Sequence, residues 1–230
     1  MRPKRLRRIE MKRCFLPMEP SFGRDGFIVG FWDKVFGGLR WLSVFSLVRK
    51  LIPRRARSYW FVDAWVLSNF ISAMVVWAMF SAFPFWLAWV CIGYGILRVL
   101  EIVVYQVNVL LFDPIRARRN KKPYAVRGYR RLLLLSLHNY AEVALWFACF
   151  YRHAGNLGHC RACAKTAVEF LYFSLATIST VGYGDIHPLD DNSRVLAIAE
   201  MGIGLFMGLI ILARIVSCLP NAPSLEERDE

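Results

Sequence analysis

Residues 177–185 read Thr177-Ile178-Ser179-Thr180-Val181-Gly182-Tyr183-Gly184-Asp185. Two glycines alternate with larger residues, which opens backbone angles that a side chain would forbid. The stretch follows a short apolar run at 166–178 and precedes a longer one from about Val195 to Cys218. The second run can cross a bilayer, whose hydrocarbon core takes about 20 apolar residues. A short helix, a glycine-containing loop and a spanning helix are therefore expected in succession.

Outward from this stretch, the composition excludes an ordinary soluble fold. Of 230 residues, 57% are apolar and 15% aromatic, yet the net charge is +13, so grease and charge must occupy different segments. Trp60 to Phe83 and Phe85 to Phe112 are long enough to span, with Phe83-Pro84-Phe85 as the turn between them. Leu132 to Tyr151 makes a third span despite His138 and Glu142, and Val195 to Cys218 a fourth. Residues 27–52 carry Phe27, Ile28, Phe31, Trp32, Val35, Phe36 and Leu39 at helical spacing, interrupted by Asp33, Lys34 and Arg40. Such a pattern predicts an amphipathic helix lying on the membrane face, ended by Pro53.

The basic residues gather before residue 60 and between Arg116 and Arg131. Both clusters abut apolar runs and no nucleic-acid-binding pattern accompanies them, so cytoplasmic flanks and contact with anionic inner-leaflet lipid are expected rather than nucleic acid. Placing 1–58, 113–131 and 219–230 inside puts both termini in the cytoplasm of a multi-pass cell-membrane protein. Cysteines at 14, 91, 149, 160, 163 and 218 form no disulfide framework, and no cleaved signal peptide is read.

Residues 131–218 resemble the pore module of the potassium channel superfamily: outer helix, pore helix, Thr-Val-Gly-Tyr-Gly-Asp filter and inner helix. Thr177 and Ser179 stand where that family has Thr or Ser, and Pro188 and Arg194 follow Asp185 at spacings seen in bacterial members. The resemblance implies a ring of four loops whose backbone carbonyls replace the hydration shell of K+. Thr180, Val181, Gly182, Tyr183 and Gly184 would bind the ion, with Thr177, Ser179 and Asp185 as supports. Gly204 or Gly208 would allow the inner helix to bend. One chain supplies one loop, so a homotetramer or heterotetramer is implied, with K+ as permeant ion and no organic cofactor. Two positions depart from the family: Tyr172-Phe173 replaces a common Trp-Trp pair, and Ala176 a buried acid found in some members.

The expected fold is all-α: four transmembrane helices, a re-entrant pore helix with its filter, and an amphipathic interfacial helix. Its parts are a basic segment at 1–58, a transmembrane hairpin at 59–113, a basic loop at 114–130, the pore module at 131–218 and an acidic tail at 219–230. No nucleophilic triad, Walker or dinucleotide pattern appears, so no enzyme is read. The rival is a non-conducting membrane adaptor that keeps a pore-like module. A non-selective cation channel would need a changed residue near Tyr183.

Other residues have plainer readings. Gly93-Tyr94-Gly95 lacks the neighbours of the later loop and reads as helix packing. Arg98 and Glu101 are placed to pair with each other or with Glu142. His138 reads as a buried hydrogen-bonding residue. Glu200 either braces the pore helix from behind or pairs with a neighbour. Glu169 suits a helix start. His153, His159, Cys160 and Cys163 are spaced too loosely for zinc and suggest a solvated outer loop, with or without a disulfide.

Overall fold

The computed structural model describes residues 27–39, 45, 48, 59–113, 115–116, 129–159, 162–164 and 166–218. The N-terminal segment 1–26, the basic residues at 117–128 and the tail at 219–230 lie outside them, as does Cys160 with its disulfide question.

Helix α1 covers Phe27–Leu39, α2 Tyr59–Met79, α3 Phe85–Val107, α4 Tyr129–Ala154, α5 Ala167–Ile178 and α6 Asp191–Cys218. Four of these are long and apolar enough to cross a membrane: α2, α3, α4 and α6. Helix α2 closes in a single tight turn, Phe80–Ala82, because Pro84 cannot continue a helix. The Pro84 carbonyl instead accepts the Leu87 and Ala88 amides at 3.0 and 3.1 Å and starts α3. At its far end α3 widens into a π turn, Asn108–Phe112. There Arg116 meets Asp33 of α1 at 2.8 Å and donates to Asn108 Oδ1 at 2.8 Å, so α1 docks on the foot of the hairpin.

Helix α4 is the most buried of the four long helices and packs against α2, α3, α5 and α6. Close approach to α3 depends on Gly95, where a Cβ would lie 2.4 Å from the Trp146 ring. Gly93 has no such neighbour, so the packing reading of this pair holds for Gly95 alone. Inside the bundle, Arg98 joins Glu142 through Nε at 2.7 Å and Nη2 at 3.1 Å, and reaches Glu101 at 2.8 Å. All three are buried, Glu142 completely. The arginine fork satisfies both carboxylates where a lone charge would be costly.

Two expectations change. His138 is half-buried, not buried: its Nδ1 sits 2.8 Å from the Leu134 carbonyl of its own helix, and its ring stands edge-on to Phe70. The outer loop after α4 is not simply solvated. It forms a small sheet in the order β2-β1-β3, from Leu157–His159 (β1), Ala162–Cys163 (β2) and His187–Pro188 (β3). Strands this short show no period in the sequence, and β3 comes from the far side of the glycine-containing loop.

Candidate functional site

The loop quoted at the outset is carried by α5. A capping box starts this helix: Thr166 Oγ1 accepts the Glu169 amide at 3.2 Å, and Glu169 Oε2 accepts the Thr166 amide at 2.8 Å. Glu169 also suits the positive end of the helix dipole. At the other end the Ile178 carbonyl accepts the Tyr140 hydroxyl at 2.8 Å. The hairpin contributes too, since Trp77 Nε1 donates to the Ala167 carbonyl at 3.0 Å. Helix α5 is thus held at both ends by other helices.

Beyond α5 the chain folds back on itself. The Ala176 carbonyl accepts both the Val181 and Gly182 amides at 3.0 Å, and Thr177 accepts from Thr180 at 3.1 Å. Thr180, Gly182 and Gly184 all adopt positive φ, at 60°, 56° and 79°. Among the described residues Thr180 is the one non-glycine residue in that region. A left-handed residue reverses the peptide relative to its neighbour. Three of them at alternate positions give this loop a backbone unlike an ordinary strand, whose residues share one region. Residues 179–185 are all exposed in the single chain.

Tyr172 donates to the Asp185 carboxylate at 2.9 and 3.1 Å, and its ring stacks on Tyr183 with 7° between the planes. The Phe173 ring packs edge-on against Tyr151. Behind α5, Ser174 Oγ lies 2.5 Å from Glu200 Oε1, and Tyr151 donates to Glu200 Oε2 at 2.7 Å. Of the two readings of Glu200, bracing the short helix is the one found.

Helix α6 begins where Asp190 accepts the Ser193 amide at 2.9 Å and the Ser193 hydroxyl. These hydrogen bonds hold the Asp190 carboxyl below its usual range. Lower down, Gly204 crosses the end of α5 so closely that a Cβ would meet the Ile178 carbonyl oxygen at 2.4 Å. Gly208 has open space around it in the single chain. Arg214 is a functional-looking residue that sequence reasoning missed. It is buried and donates to Gln106 Oε1 at 2.7 Å and the Leu132 carbonyl at 3.0 Å. An arginine inside an apolar run was the available signal.

No group of three or more metal-ligating side chains occurs among the described residues. Of the four residues weighed for zinc, His153 packs against Trp89 and Phe80, while Cys160 and the side chains of His159 and Cys163 lie outside the description.

A family model described as "Ion channel" matches residues 140–220, a little over a third of the chain, from mid-α4 through the loop to the end of α6. Two pore potassium channel a of Oryza sativa subsp. japonica is 42% identical over 50 residues, covering 22% of this chain and 13% of that protein. Two-pore potassium channel 4 of Arabidopsis thaliana is 42% identical over 50 residues, covering 22% of this chain and 18% of that protein. The chain therefore aligns with under a fifth of either relative. No solved structure matches. Over residues 140–220 the chain is thus similar to ion channels, and four of its helices are long and apolar enough to cross a membrane.

Proposed function

We propose that the chain is one quarter of a tetrameric, potassium-selective pore, with Thr180–Gly184 as its selectivity filter. One observation carries the reading: the exposed loop takes positive φ at 180, 182 and 184, the alternate positions at which a run of carbonyls would be turned to one side. A dehydrated K+ needs such a ring of oxygens, and four copies complete it. The C-terminal, negative end of α5 adds to the attraction for a cation. Asp185 shapes the outer mouth, tied to α5 through Tyr172. Conduction is passive, driven by the electrochemical gradient.

Assembly has a surface to use. Val195, Ile198, Leu205, Leu209, Leu212 and Val216 form an exposed apolar stripe along α6 at helical spacing. The test is reconstitution of the purified full chain into liposomes with a potassium flux assay, and determination of its mass in detergent. Selective K+ flux from a four-chain particle is expected. An intact particle that passes no ion would favour the adaptor, and equal K+ and Na+ permeability the non-selective channel.

A further inference from the structure

We propose that Glu200 is held protonated in the folded protein, and that its proton pins the pore helix α5 between α4 and α6. The inference deepens the reading of the chain as a potassium pore, but its first ground is a count of hydrogens. Three oxygen–oxygen contacts run in series: Tyr151 Oη to Glu200 Oε2 at 2.7 Å, Glu200 Oε1 to Ser174 Oγ at 2.5 Å, and Ser174 Oγ to the Ala144 carbonyl at 2.8 Å. Each contact needs one hydrogen. Tyr151 supplies one and Ser174 one, because a hydroxyl has a single proton to donate. A carboxylate supplies none, so one contact would be left with two oxygens facing each other through lone pairs. With a proton on Oε1 the chain closes. Tyr151 donates to Glu200, Glu200 to Ser174, and Ser174 to Ala144.

The surroundings argue the same way. Glu200 has no measurable exposure, and the two hydroxyls are its hydrogen-bonding partners among the described residues. No basic group of the packed elements bonds to it among the described residues. Arg194 pairs with Asp191 at 2.8 Å, Arg214 donates to Gln106 at 2.7 Å, Arg131 pairs with Asp63 at 2.5 Å, Arg152 donates to Ser81 at 2.7 Å and Arg98 holds Glu142. Arg130 is exposed, His138 faces the Leu134 carbonyl and His153 packs on Trp89. Tyr140 on α4 is neutral and bound to Ile178. Glu169 on α5 closes its own capping box. A buried carboxylate with no cation beside it is costly, whereas the neutral acid is fully satisfied here. Through this one side chain, α4, α5 and α6 share a continuous hydrogen-bond chain directly behind the loop.

Glu200→Gln tests the proposal, because its amide donates to Ser174 and accepts from Tyr151 as the neutral acid does. Infrared spectra of the full-length wild type and this variant are compared in lipid vesicles at neutral pH. The wild type should show the carbonyl stretch of a protonated carboxylic acid, sensitive to deuterium exchange, that Glu200→Gln lacks. Disappearance of carboxylate bands in the variant instead would overturn the proposal. In the same vesicles Glu200→Gln should keep wild-type melting temperature and potassium flux, while Glu200→Ala should lose both. A glutamine variant as impaired as the alanine one would also overturn it. The infrared comparison does not depend on conduction, so a protein that passes no potassium would refute the channel reading and leave the protonation measurement decisive.

Discussion

Gly204 and Ile178 meet where α6 crosses the end of α5: a Cβ on Gly204 would lie 2.4 Å from the Ile178 carbonyl oxygen and 2.8 Å from its Cγ1. The obstacle is backbone and cannot swing aside. Gly204 is therefore required for packing, whatever bending it also permits. Gly204→Ala should cost about 1–3 kcal/mol as overpacking. Gly208→Ala, with nothing within 4 Å in the single chain, should match or exceed wild-type stability, since alanine favours the helix by about 1 kcal/mol over glycine. Thermal unfolding of the three proteins in detergent compares them. Equal loss at both positions would refute the packing argument.

Gly184 has φ of 79° and Gly182 of 56°. An L side chain in that region costs about 1–2 kcal/mol. Gly184→Ala should turn its carbonyl away from the others and abolish the preference for K+ over Na+, with assembly preserved. Reversal potentials under K+/Na+ gradients, alongside size-exclusion profiles, check both halves. Unchanged selectivity would remove the loop from the conduction path.

Arg98 hydrogen-bonds two carboxylates inside the bundle, Glu142 and Glu101. Arg98→Leu leaves Glu142 buried and unpaired, a loss of about 3–5 kcal/mol. Arg98→Lys should recover little, because a single ammonium cannot reproduce the two-pronged contact. Arg98→Leu combined with Glu142→Leu should recover much more. Yields of monodisperse protein and melting temperatures would rank the series.

Opening should respond only gently to voltage. Moving one charge through the field gives about 2.3 kcal/mol per 100 mV, so steep sensing takes several mobile charges in each subunit. Arg98 is fixed by Glu101 and Glu142, and Arg214 by Gln106 and the Leu132 carbonyl. Single-channel recordings in a plain bilayer measure the slope, and a steep activation curve without a blocking ion would contradict this.

Asp190 gives a pH dependence. Its carboxyl is held below its usual range by Ser193, so its stabilising effect is present above the unfolded pKa of about 3.9. That effect is lost as pH falls through the folded value. Acid should loosen the start of α6, and Asp190→Asn, which keeps a capping oxygen, should soften this loss. Hydrogen exchange at the Ser193 and Arg194 amides reports it.

Much of this arrangement is legible in the sequence because it is local. Four spans follow from run length, the α5 start from Thr166 and Glu169, and the bends at 182 and 184 from glycine. Thr180 is different, since nothing in a threonine announces a φ of 60°. The pairing of Arg214 with Gln106 is equally silent, and while one reading of Glu200 is a brace for the short helix, nothing names Ser174 as its partner. These two contacts join residues 108 and 26 positions apart, and which side chains meet depends on how the helices cross. The β1–β3 pairing is hidden for a similar reason, with strands too short to show alternation.

The Arg98–Glu142 contact also bears on modularity. Residues 129–218 look self-sufficient as a two-helix unit, yet that unit contains Glu142, fully buried, and not the arginine that balances it. Cut from its hairpin, the fragment would expose a naked carboxylate to lipid, and it would also lose the Trp77 indole that holds the start of α5. The unit is therefore not portable. A chimera that grafts it onto another membrane protein must bring α3 along, or replace Glu142 first.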